Sequence, residues 1–86
     1  MSPEGGPVVM IIDDDPEIRE TISLLLEDEG YRVVEAPHGA AALDLIPHHQ
    51  PAVILLDMRM PEMDGWQFAA AYRELPLPHA PIITMT

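Results

Sequence analysis

The chain has 86 residues, 48% of them apolar, enough for one small core and too few for two domains. Its 15 Asp and Glu stand against four arginines and no lysine, a net charge of −11, so no basic patch for nucleic acid can be built and cations are the favoured partners. Cysteine is absent, which excludes disulfides and fits a reducing cytoplasm; no apolar run nears the roughly 18 residues of a membrane span, and MSPEGGPVV lacks the basic-then-apolar order of a secretory signal.

Residues 1–7 read as a flexible Gly/Pro leader and residues 8–86 as one folded unit. The apolar run Val8–Ile12 predicts a buried first strand that ends at Asp13-Asp14-Asp15. Asp15 suits an N-cap, Pro16 the first helical position and Gly30 the C′ position. Between them Ile18, Ile22, Leu25 and Leu26 predict one inward helix face. Tyr31–Glu35 is partly alternating and predicts an edge strand. Ala40–Ile46 predicts a short helix stopped by Pro47, with His48–Pro51 as a loop. Val53–Leu56 predicts a second buried strand, ending at Asp57, and Met58–Asp64 a loop. Trp66–Glu74 predicts a helix capped by Asp64, Leu75–Pro81 a proline-rich loop, and Ile82–Thr86 a last strand.

Strands alternating with helices predict a parallel sheet, with every strand's carboxyl end on one rim. Ligands of open parallel sheets sit beyond that rim. Asp13, Asp14, Asp57 and Thr86 all fall there. If the first and third strands are neighbours, the acidic pair and Asp57 share one pocket, and their mutual repulsion calls for a divalent cation. Oxygen-only ligands with no His or Cys among them point to Mg²⁺ or Ca²⁺, and a few protein ligands completed by water and phosphate is the Mg²⁺ style. A carboxylate beside Mg²⁺ is also a competent nucleophile towards phosphorus.

The segments IIDDDPEIRE, LLDMRMPEMDG and PIITMT, in this order and spacing, resemble the receiver domain of two-component response regulators across Val8–Thr86. The resemblance implies a flavodoxin-like α/β fold with strand order 2-1-3-4. It implies that Asp57 accepts a phosphoryl group from a phosphohistidine on a sensor histidine kinase or phosphotransfer protein. Asp13 and Asp14 then hold Mg²⁺ with Asp57, the Arg59 backbone carbonyl is a further ligand, and the Thr86 hydroxyl bonds the phosphoryl group. Pro61 and Gly65 match the family's loop-shaping pair. Such a module is not an enzyme; it assists its own phosphotransfer and dephosphorylation, in the cytoplasm. The family also carries a lysine at the end of a fifth strand. This chain has no lysine, and the fifth strand and last two helices have no counterpart in its 86 residues. An incomplete receiver of this kind is expected to expose its fourth strand and to self-associate through it.

Simpler readings stand beside these. The Asp13–Asp15 turn could be a solvated cap. The chain could also be a degenerate receiver acting as a phosphorylation-independent interaction module, which the missing lysine favours. A haloacid-dehalogenase-like phosphohydrolase is suggested by the D-x-D within Asp13–Asp15 and opposed by the lack of that class's lysine. His38, His48, His49 and His79 read as loop residues rather than metal ligands. Met58, Met60 and Met63 read as loop packing, Trp66 as a partly exposed neighbour of the pocket, and the side chains of Arg59 and Arg73 as surface charges.

Overall fold

The apolar run Val8–Ile12 forms strand β1, buried at every position. Strand β2 (Arg32–Ala36) pairs with it on one side and strand β3 (Val53–Asp57) on the other. Strand β4 (Ile82–Met85) pairs with β3, so the sheet is parallel throughout with order β2-β1-β3-β4. Burial on both faces explains why β1 reads as an unbroken apolar run. This computed structural model describes residues 6–60 and 63–85. Most of the expected leader, together with Pro61 and Thr86, lies outside the described residues.

Helix α1 (Pro16–Asp28) follows β1. Asp15 caps it as expected, its side chain accepting from the Glu17 amide at 2.9 Å, with Pro16 at the first position. Gly30 closes it at φ 95°, where the Gly30 amide donates to the Glu27 carbonyl (3.0 Å) and the Tyr31 amide to Leu26 (3.1 Å). That pairing is the Schellman arrangement. It also takes the Tyr31 amide, so β2 begins at Arg32, whose amide donates to Pro7 (2.9 Å), one residue later than expected.

Helix α2 (Gly39–His49) corrects the expected stop at Pro47. Proline lacks an amide hydrogen, which removes one intrahelical bond but does not prevent another turn. Here the Gln50 amide bonds the Ile46 carbonyl at 2.9 Å, and Ile46 is wholly buried and anchors the turn. Gln50 ends the helix in the left-handed region at φ 46°. His48 and His49 therefore stand in the last helical turn and not in a loop. Helix α3 (Gly65–Arg73) is capped by Asp64 through reciprocal bonds with Gln67, at 2.9 and 3.0 Å.

Right-handed crossovers place α2 and α3 on one sheet face and α1 on the other. The first face holds the main core, in which Met10, Ile12, Ile54 and Leu56 of the strands meet Ile46, Phe68 and Tyr72 of the helices. Phe68 and Tyr72 stack at 5.8 Å.

The α1 face differs from expectation. Ile18 and Leu25 are 46% and 65% exposed, while Ser23 is buried, Arg19, Ile22 and Leu26 are half-buried, and Ile83 of β4 is 54% exposed. The inward stripe is thus Arg19, Ile22, Ser23 and Leu26, spaced i, i+3, i+4, i+7. Arg19 reaches β2 through Glu35, and α1 packs against the β1–β2 half of the sheet. Among the described residues α1 is the one helix on this face.

Candidate functional site

Three strand ends build the site. Asp13 follows β1 directly, and its amide donates to the Ala36 carbonyl at 3.2 Å, which carries the β1–β2 pairing one residue past the strand. The Asp15 amide donates to Asp13 Oδ1 at 2.9 Å and fixes that carboxylate's rotation. Asp14 is exposed at the lip. Asp57 is the last residue of β3, half-buried, with Oδ1 accepting from the Arg59 amide at 2.9 Å. It is in register with Met85, which brings the end of β4 alongside. Thr86 follows Met85 but lies outside the described residues.

These placements bring one carboxylate oxygen each from Asp13, Asp14 and Asp57 within 4.8 Å of one another. The cavity they share measures about 440 Å³ and is also lined by Asp15, Ile18, Arg59 and Met85. Its electrostatics are unfavourable to the bare chain. Asp13 is only 5% exposed, and burial pushes its carboxyl above the ordinary 3.8. The charges of Asp57, Asp14 and Asp15 push the same way, and the hydrogen bond from the Asp15 amide opposes them. Oxygen donors this close, one of them buried and short of compensating charge, fit a hard divalent cation. Arg59 supplies the one cationic side chain on the lining among the described residues.

Arg19 received no role from the sequence. Its Nη1 donates to the Asp13 backbone carbonyl at 2.6 Å, and its Nε donates to Glu35 Oε1 at 3.3 Å. The guanidinium sits behind the acidic loop, on its backbone. The available signal was an arginine one turn beyond the cap residue Asp15, whose long side chain leans back towards the helix start.

The remaining candidates fall elsewhere. His38 is the N-cap of α2, its Nδ1 accepting from the Ala41 amide at 3.1 Å. His79 tilts over the Tyr72 ring at 4.8 Å, and its Nε2 bonds the Leu75 carbonyl at 3.0 Å. It borders a second concavity of about 330 Å³ between α2, α3 and the proline-rich loop, which has no carboxylate on its lining. Met58 and Met63 pack on Gly65 and Gly39, as loop packing predicts, and Trp66 is 76% exposed.

The family model of the response regulator receiver domain matches residues 9–86. The chain belongs to this family. It is 39% identical over 67 residues to the response regulator Rre1 of Synechocystis, covering 77% of this chain and 29% of that protein. Among solved structures it resembles the N-terminal domain of a response regulator receiver protein from Methanoculleus marisnigri (30% identity, TM-score 0.87, 92% of this chain and 65% of that one). It also resembles the chemotaxis response regulator CheY4 of Vibrio cholerae (34% identity, TM-score 0.85, 92% and 67%). The chain spans about half or less of the length of the curated relatives it matches. Strand order and helix placement are those of the flavodoxin-like, CheY-type fold. Receivers are signalling modules of two-component systems, interact with histidine kinases or phosphotransfer proteins, and typically bind Mg²⁺ at an acidic pocket. Among the described residues no helix is long and apolar enough to cross a membrane.

Proposed function

We propose that Asp57 is the phosphoacceptor of this receiver and that Asp13, Asp14, Asp57 and the Arg59 carbonyl hold Mg²⁺. The reading is carried by the three carboxylates converging within 4.8 Å at one rim of a parallel sheet. Bound Mg²⁺ would neutralise the phosphoryl oxygens and the pocket's own repulsion. The chain's part is position and nucleophilicity. An Asp57 oxygen attacks phosphorus, a P–O bond forms, and the P–N bond to the donor imidazole breaks with its electrons returning to the ring. The Arg59 amide holds the Asp57 carboxylate in one orientation through the bond to Oδ1. The Thr86 hydroxyl is placed by sequence one residue beyond Met85, the register partner of Asp57, and donates to a phosphoryl oxygen. Water then attacks the acyl phosphate, so the module assists its own dephosphorylation without being a turnover enzyme.

The donor is a phosphohistidine of a sensor histidine kinase or a phosphotransfer protein. The receiver unit is residues 8–86 after a leader of residues 1–7, and it acts in the cytoplasm. Self-association through β4, which pairs with β3 alone among the described residues and carries the half-exposed Ile83, is part of the same proposal.

A second reading is an interaction module that is not phosphorylated. Incubation with Mg²⁺ and acetyl phosphate, followed by mass spectrometry, separates the two. One added phosphoryl group on the wild type and none on Asp57→Asn is expected. An unmodified wild type that still binds Mg²⁺ selects the interaction module.

A further inference from the structure

We infer that Arg19, braced by Glu35, is a positioning residue for the acidic loop. It holds the Asp13 peptide so that the Asp13 and Asp14 carboxylates face Asp57, and it does so without neutralising them. The inference rests on the reading of these aspartates as Mg²⁺ ligands.

The loop is tied to the edge strand by two routes. Directly, the Asp13 amide donates to Ala36 at 3.2 Å. Indirectly, Arg19 Nη1 donates to the Asp13 carbonyl at 2.6 Å while Nε reaches Glu35 at 3.3 Å. Glu35 and Ala36 are in register with Ile11 and Ile12, the last two residues of β1. The two peptide groups that flank the Asp13 Cα are therefore both held from β2, the first by backbone through its N–H and the second through the guanidinium at its C=O.

Arginine suits this task because its fork donates in two fixed directions at once. Its side chain is 16% exposed, so its path is set by packing, while Glu35 is 41% exposed. An ion pair that open contributes little stability by itself. Its consequence is directional. Glu35 holds the positive charge on the carbonyl side of Asp13, where it leaves the carboxylates free for a metal. A guanidinium swung onto those carboxylates would instead compete with the cation. Groups that orient a metal ligand from behind typically change affinity by roughly 10- to 100-fold when removed.

The test uses the 86-residue chain with Arg19→Ala, Arg19→Lys and Glu35→Gln. Ile46→Val, in the core on the other sheet face, is the destabilised control. Mg²⁺ is titrated while the amide resonances of Asp13, Asp14 and Asp57 are followed by NMR, and melting is measured without Mg²⁺. Arg19→Ala is expected to weaken Mg²⁺ binding about tenfold. Arg19→Lys recovers part of the loss, because Nζ can still donate to the Asp13 carbonyl. Glu35→Gln weakens binding less, and Ile46→Val lowers melting without moving affinity. Arg19→Ala with wild-type affinity overturns the inference, as does an affinity loss that Ile46→Val reproduces at equal loss of melting temperature. A wild type that binds no Mg²⁺ overturns the metal reading itself, and this inference falls with it.

Discussion

The Met58 sulfur crowds the point where a Cβ on Gly65 would sit, and the Met58 Cα is 3.0 Å from that point. These two residues pinch together the ends of the loop that leaves Asp57, and the Gly65 amide donates across the pinch to the Met58 carbonyl at 3.5 Å. A thioether can rotate away from an added methyl, but the backbone at Met58 can yield only by moving the residue next to Asp57. Gly65→Ala is expected to cost about 1–3 kcal/mol by overpacking and to weaken Mg²⁺ binding; urea denaturation and a Mg²⁺ titration check both. Gly39→Ala crowds only the flexible Met63 side chain, 2.6 Å from the sulfur, with Phe68 Cβ at an ordinary contact of 3.4 Å, and should cost less.

Ser23 faces the sheet from α1 with its hydroxyl buried and without a hydrogen-bond partner among the described residues. A buried hydroxyl left unpaired pays its desolvation with no return. Ser23→Ala removes it and gains helix propensity, so a stabilisation of about 1 kcal/mol is expected. An unchanged or lower urea midpoint would show that the site does not carry this cost.

The raised Asp13 carboxyl has a defined sign. A carboxyl whose folded pKa lies above its unfolded value keeps its proton longer in the folded chain. Stability therefore falls as pH rises from 3.8 through the folded value, and the cost is complete above it. Asp13→Asn should raise the melting temperature at neutral pH without Mg²⁺ and lose that advantage near about pH 3. Saturating Mg²⁺ should raise the melting temperature of the wild type and much less that of the variant. Melting curves at both pH values, with and without Mg²⁺, decide the matter.

Ile83 is 54% exposed on β4, which pairs with one neighbour among the described residues. If the chain self-associates there, sedimentation velocity should show a mass that rises with concentration. Ile83→Lys should weaken that association several-fold without lowering the helical signal in circular dichroism. A concentration-independent monomer of the wild type would remove the proposal.

Much of the fold was legible because its signals are local. Asp15 before Pro16, Gly30 after the last turn of α1, and Asp64 three residues before Gln67 each satisfy backbone groups within a few residues of themselves. Such bonds form in nearly any tertiary setting. Strand β1 was legible as an apolar run because burial on both faces leaves no room for polar residues. The reading failed where neighbours decide. Pro47 reads as a stop, but the buried Ile46 side chain and the left-handed Gln50 carry α2 one turn further.

By itself, the sequence determined the element types, their order and the carboxylates at the strand ends. Backbone bonding, capping and the exclusion of water from apolar runs act over a few residues, and these features follow from them. Tertiary structure alone decided which stripe of α1 turns inward, how deeply Asp13 is buried, and that Asp57 lies within reach of a loop more than forty residues upstream. It alone placed Arg19 behind that loop, because the Glu35 that holds the guanidinium there belongs to a different strand. Distances between groups remote in the chain are set by strand pairing and packing, and no local pattern encodes them.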